Sequence, residues 1–340
     1  MAPPNRAALL TKAKEYPLKI DVVELPTAGE GEIIIKVAAI AINPMDWMIQ
    51  TLGDDLFSWL QYPFIGGTDV AGTVVEVGPG VTDFEVGNRV LGLSIGFVPR
   101  EGAFQEHVAV RYNLASIIPD TLGFADAAVL PLGYTTAAGA LYEPGNLELE
   151  YPTLNPTPKG KTLLVWAGSS SVGTNAIQLA VASGYDVVTT SSPRNFEYCK
   201  SLGASQVFDY NSPTIVQELV QALEGKTLAG GLAIFPGSEQ FVFEVILKSQ
   251  GAKVVVAAMP LAEDKIPAGL DRAKGVFAGS IKDNEVGAIV FNKYLPEALT
   301  SGKFRSLPAP EVFGQGLESL QGAVDKVREG LSAKKVVVTL

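Results

Sequence analysis

Short apolar stretches bounded by glycine dominate the first third of the chain. β-Branched residues run from 33 to 41 and again from 70 to 77, set off by Gly29-Glu30-Gly31 and Gly78-Pro79-Gly80, a pattern typical of strands joined by tight turns. It continues through 88–92 and 102–108 with no long helical period, so this region is predicted to be mostly strand and loop, paired antiparallel. After Pro119 the pattern changes. Residues 121–141 are rich in Ala and Leu and predict two helical pieces broken near Pro131 and Gly133.

A loop over 144–161, carrying Pro152, Pro156 and Pro158, leads into a different regime. Strands predicted at 162–167, 186–190, 206–209, 231–235, 253–258 and 276–278 alternate with apolar helices, which argues for a parallel sheet covered on both faces. Helix-like segments at 284–302 and 316–330 precede a last strand at 335–340, which is placed to rejoin the first domain. The fold class is therefore α/β. A β-rich domain formed by 1–125 and 284–340 carries an inserted, doubly wound parallel-sheet domain at 126–283. The length of 340 residues supports this division, because one core stops growing at about 250–300 residues.

Charge and composition narrow the function. A formal net charge of -10, without any Lys/Arg-rich run, leaves no field for a nucleic-acid backbone. No window offers about 18 uninterrupted apolar residues, so no membrane span is expected. The first residues resemble neither a signal peptide nor a transit peptide, so a cytoplasmic protein is expected. A single cysteine, Cys199, and a single histidine, His107, cannot supply the usual ligands of a structural or catalytic zinc site. His107, in an alternating strand, reads as a core or edge residue.

The most informative segment is 163–173, where an apolar strand meets Gly168-Ser169-Ser170-Ser171-Val172-Gly173 before a helix-compatible run. Gly168 is placed to permit the bend, Gly173 to let helix and strand pack closely, and the helix N-terminus to offer N–H groups to a pyrophosphate. Ser170 replaces the middle glycine of the usual motif, and its hydroxyl is a candidate phosphate donor. The next strand ends in Ser191-Ser192-Pro193-Arg194-Asn195. Hydroxyls and a guanidinium, with no carboxylate, suit a 2′-phosphate and hence NADPH rather than NADH.

Several separated motifs occur in order: Asn43-Pro44-Met45-Asp46, Gly67-Thr68-Asp69-Val70-Ala71-Gly72, Gly87-Asn88-Arg89-Val90, Gly102-Ala103-Phe104 and Leu130-Pro131-Leu132. In that series the chain resembles the medium-chain dehydrogenase/reductase superfamily over essentially its whole length, and within it the fungal trans-acting enoyl reductases and quinone oxidoreductase-like proteins. The resemblance implies a GroES-like catalytic domain around a Rossmann domain. Zinc members place a cysteine within the segment held here by 43–46 and a histidine in the segment Gly67-Thr68-Asp69, so it also implies a zinc-free branch. By position it assigns the pyrophosphate to Ser169–Val172 and the 2′-phosphate to Ser192, Pro193, Arg194, Asn195 and Tyr210. The nicotinamide side falls to Ala257, Ala258 and Met259, and the cofactor side of the cleft to Asn43, Met45, Asp46, Trp47 and Met48. Substrate falls to Gly133, Phe277, Ala278, Gly279 and Ile281. No residue stands out as the proton donor, which is left among Tyr134, Thr135, Thr136, the cofactor ribose and water.

The expected reaction is reduction of an activated alkene in a small-molecule or acyl substrate, free or presented by a polyketide synthase. A quinone oxidoreductase and a non-catalytic NADPH-binding protein are the alternatives, and the chain is expected to be a monomer or a homodimer.

Overall fold

The first unit converts the alternating stretches into β1 (Asn5–Leu10), β2 (Lys19–Val23), β3 (Glu32–Ala41), β4 (Phe64–Ile65), β5 (Asp69–Val77), β6 (Arg89–Leu93), β7 (His107–Arg111) and β8 (Ala115–Ile117). The computed structural model describes residues 4–95 and 98–340. β1 lies between β2 and β4, antiparallel to both. β3 pairs antiparallel with β5, with β7 and with the last strand of the chain. Ten residues make this possible, because 32–36 take β7 and 39–41 take the C-terminal strand. A helix, α1 (Pro44–Leu52), interrupts the strands and was not legible as one. Its buried residues are Asp46, Ile49 and Gln50, so the apolar period that announces a helix is missing. Pro44 at the first position and the Asp46 carboxylate, which accepts from Asn43 N at 2.7 Å, start it instead.

α2 (Phe124–Ala128) and α3 (Pro131–Tyr142) follow as two pieces, as the break at Pro131 predicts. The second unit, residues 133–290, then alternates β9 (Thr162–Val165), α4 (Ser171–Ala182), β10 (Asp186–Ser191), α5 (Phe196–Ser201), β11 (Gln206–Asp209), α6 (Ile215–Ala222), β12 (Leu228–Ala233), α7 (Glu239–Lys248), β13 (Val254–Ala257) and β14 (Arg272–Gly275). Its sheet runs β11-β10-β9-β12-β13-β14, parallel throughout. β9, β12 and β13 are buried at every position, as strands covered on both faces must be. The strand order reverses between β9 and β12, and open parallel sheets bind ligands at the carboxyl end of such a reversal.

One expectation is corrected by the structure. The last strand of this sheet is Arg272–Gly275, not 276–278. An edge strand carrying Arg272 and Lys274 shows no apolar run, and the apolar residues beyond it belong to a following turn. The segment expected to be helical at 284–302 is helical without a break from Glu285 to Thr300, as α8 (Glu285–Gly287), a π-helical stretch Ala288–Tyr294 and α9 (Leu295–Thr300).

The chain returns to the first unit, residues 1–132 with 291–340, and adds β15 (Ala309–Gln315), α10 (Leu320–Arg328) and β16 (Lys334–Thr339). β16 joins β3 antiparallel and β15 parallel. α10 buries Leu320, Ala323, Val324 and Val327, one stripe at helical spacing, against a core that includes Ile33, Ile35, Val70, Val90 and Val336. The changeovers between units fall inside α3 and inside the π-helical stretch.

Candidate active site

In the second unit the loop from β9 to α4 is shaped by contacts on both sides. The left-handed residue at the bend is Ala167, at φ 72°, rather than Gly168. It is held there by Ala167 N donating to Thr190 Oγ1 at 3.0 Å and Gly168 N donating to Thr190 O at 2.9 Å. Gly168 is needed for space, since a Cβ there would lie 2.3 Å from Thr189 Oγ1. A Cβ on Gly173 would lie 2.2 Å from Ala167 O, so this glycine does set helix against strand. Ser170 is the N-cap of α4. Its Oγ donates to Ala167 O at 2.8 Å and accepts from Gly173 N at 3.0 Å. The hydroxyl proton expected to meet a phosphate is thus committed within the loop, and the anion-binding capacity rests on the first-turn N–H groups of α4.

Ser169, Ser192 and Asn195 are brought together across the ends of β9 and β10. Asn195 Nδ2 donates to Ser169 Oγ at 3.3 Å and to Ser192 Oγ at 3.2 Å. Pro193 and Arg194 are exposed beside them, and Tyr210 is 44% exposed just past β11, whose Asp209 is in register with Ser191 of β10. Ser191 itself is buried, its hydroxyl donating to Ser192 O at 3.0 Å. The donor set and the backbone cradle fit a dinucleotide phosphate. Ser171 Oγ is buried at the first position of α4 with no hydrogen-bond partner.

Ala257 ends β13 buried, while Ala258 and Met259 beyond it are half-buried. Gly133 lies so close to α4 that a Cβ would come within 2.5 Å of Ser171 Oγ. Tyr134 is fully buried and its Oη donates to Val290 O at 3.0 Å. Thr135 is fully buried and Thr136 nearly so. Phe277 is exposed at the far side of β14, whereas Gly279 and Ile281 are buried in the 3₁₀ turn Ala278–Asp283 that also carries Ala278.

The first unit holds a separate buried polar cluster around Asn43. Lys335 Nζ lies 3.0 Å from Asp69 Oδ2, both side chains being almost wholly buried, and also donates to Asn43 Oδ1. Asn43 Nδ2 donates to Asp69 Oδ2 at 3.0 Å and to Thr68 Oγ1 at 3.1 Å, and Leu132 N to Asp69 Oδ1 at 2.7 Å. Lys335 and Asp69 escaped sequence reasoning. A lysine pair, Lys334 and Lys335, heading a run of valines in β16 was the available signal. Burial pushes the Asp46 carboxyl up to about 7, the neighbouring Asp69 charge adding to this while the N–H of Asn43 opposes it. Met45 is exposed, and Trp47 and Met48 are half-buried on the same helix. His107 is half-buried on β7, with its Nδ1 unpaired, and burial lowers its pKa.

The Asp46 shift makes a testable statement. The folded chain keeps this proton up to about pH 7, whereas the unfolded carboxyl loses it near about 3.9. The cost of the buried carboxylate is absent below the lower value and complete above the upper one, so stability falls as pH rises between them. Asp46→Asn is expected to gain on the parent chain by on the order of 2–3 kcal/mol between pH 5 and pH 8. A difference between their melting curves that is the same at both pH values would contradict this.

Among the described residues no three His, Cys, Asp or Glu side chains are grouped to hold a metal ion, and no helix is long and apolar enough to cross a membrane. A Rossmann-type unit whose glycine-serine turn fits a phosphate, together with a β-rich unit in the same chain, defines a two-domain oxidoreductase. Residues 29–120 match the alcohol dehydrogenase GroES-like domain and residues 171–270 the zinc-binding dehydrogenase model. The chain belongs to the medium-chain dehydrogenase/reductase superfamily, in its zinc-free branch. It is 46% identical to the dehydrogenase azaJ of Aspergillus niger, covering 99% of both chains, and 40% identical to the trans-enoyl reductase himH of Aspergillus japonicus, covering 99% of this chain and 97% of that one. The crystal structure of the CurK enoyl reductase shares the fold with a TM-score of 0.78 at 19% identity, covering 99% of both.

Proposed function

We propose that the chain is a zinc-independent, NADPH-dependent reductase of an activated C=C bond in an α,β-unsaturated carbonyl or acyl substrate. The observation that carries the cofactor assignment is the Ser169–Asn195–Ser192 cluster with Arg194 beside it at the carboxyl ends of β9 and β10. It offers amide, hydroxyl and guanidinium donors and no carboxylate within the cluster, which suits a dianionic 2′-phosphate. The α4 N-terminus is the site proposed for the pyrophosphate, and the ends of β13 and β14, beyond β12 on the same edge of the sheet, are those proposed for the nicotinamide and acceptor.

When bound, the reduced nicotinamide supplies a hydride to the electron-poor β-carbon of the alkene, and a proton completes saturation at the α-carbon. The chain's own part is to orient the two and keep water from the reacting face. Tyr134, with its hydroxyl given to Val290 O, acts in positioning α3, which leaves Thr135, Thr136, the cofactor ribose or solvent as proton source. The likeness to himH, a trans-enoyl reductase, supports the choice of acceptor.

Arg194→Ala is expected to weaken NADPH by about 10- to 100-fold, the worth of charge-assisted bonds to one phosphate, and to leave NADH unchanged. Dissociation constants for both nucleotides decide this. An equal loss for both, or tighter NADH in the parent chain, would reject the assignment.

A further inference from the structure

The carboxyl edge of the parallel sheet is chemically divided. Past β11, β10 and β9 stand Tyr210, the hydroxyls of 191–192 and 169–171, and Arg194, whereas the first residues past β12, β13 and β14 are uncharged and largely apolar. Two of these apolar ends repeat one device. Phe235-Pro236-Gly237-Ser238 follows β12 and Phe277-Ala278-Gly279-Ser280 follows β14. In each, the phenylalanine carbonyl accepts from the serine N–H at 3.0 Å and from its Oγ at 2.6 Å. Both rings are left facing solvent, Phe235 56% and Phe277 57% exposed.

Neither turn is loose. Gly237 takes φ 85°, which only glycine adopts freely, and a Cβ on Gly279 would strike the Phe277 ring at 2.8 Å. Ser280 Oγ also reaches Glu143 at 2.8 Å, and Asn284 Nδ2 donates to the same carboxylate at 3.0 Å, fixing the second turn to the end of α3. Leaving more than half of each ring exposed on braced turns forgoes part of the stabilisation that burial would give. β13 lies between the two strands, so the turns stand on either side of its end, their backbones about 10 Å apart at the usual strand spacing.

We propose that Phe235 and Phe277 are a specificity-determining pair, selecting acceptors whose alkene carries a flat, apolar, conjugated substituent. This rests on the reductase reading above, with the nicotinamide at the end of β13. Aromatic rings favour a flat guest by stacking and by burial of apolar area, and no charge on these turns favours a carboxylate or a sugar.

The test uses the full chain with NADPH and two enones that differ only in a phenyl group, 3-buten-2-one and trans-4-phenyl-3-buten-2-one. Turnover is measured together with binding of each enone to the NADP⁺ complex. The parent chain is expected to favour the phenyl enone at least tenfold in kcat/KM and in binding. Phe277→Ala and Phe235→Ala are each expected to shrink that ratio several-fold, and Phe277→Tyr to restore it. A ratio near one in the parent chain overturns the proposal, as does an alanine variant that slows both enones equally. Selective binding lost in the alanine variants, without any NADPH oxidation, would reject the reductase reading and leave the aromatic selection standing.

Discussion

Lys335→Met is expected to destabilise the chain by about 3–5 kcal/mol, because it removes the cation and leaves the Asp69 carboxylate fully buried without its counter-charge. Few single substitutions here have a larger expected cost, since Asn43 and Thr68 are already engaged with the same carboxylate. The partner change distinguishes lost charge from lost packing. In Lys335→Met with Asp69→Asn the orphaned charge is gone, while Oδ1 still accepts from Leu132 N, so much of the loss is expected to return. Denaturant unfolding of the four chains gives the coupling directly. Additive losses would show that the lysine acts only through its methylenes.

Gly173→Ala is expected to be the most damaging change in the nucleotide loop. The new Cβ would sit 2.2 Å from Ala167 O, a backbone atom that cannot rotate away, so α4 must shift from the end of β9. The shift breaks the Gly173 N to Ser170 Oγ cap and pulls the first-turn N–H groups from the phosphate position. Overpacking of this kind costs about 1–3 kcal/mol of stability, and NADPH affinity is expected to fall by at least tenfold. Ser170→Ala, which loses the cap without a clash, should cost about 1 kcal/mol and less affinity. If calorimetry finds NADPH binding equally tight in Gly173→Ala and the parent chain, α4 is not the phosphate site.

The parallel sheet was legible because strands such as Thr162–Val165 and Val254–Ala257 are buried on both faces and must be apolar throughout. The edge strand Arg272–Gly275 was not, since one side faces solvent and packing no longer dictates its residues. α1 was hidden for a related reason, its buried positions including a charged and an amide side chain whose partners lie far along the chain.

At the loop from β9 to α4, sequence alone determined where strand, turn and helix meet, because such a turn is local and its spacing survives in the linear order. Tertiary structure decided what each group does. It placed the left-handed bend at Ala167 and spent the Ser170 hydroxyl on the helix cap, and it joined Lys335 to Asp69 across 266 residues of chain. It also set two Phe-x-Gly-Ser turns on either side of one strand. Pairing and burial of polar groups depend on which residues become neighbours, and neighbours distant in sequence are chosen only when the sheets assemble.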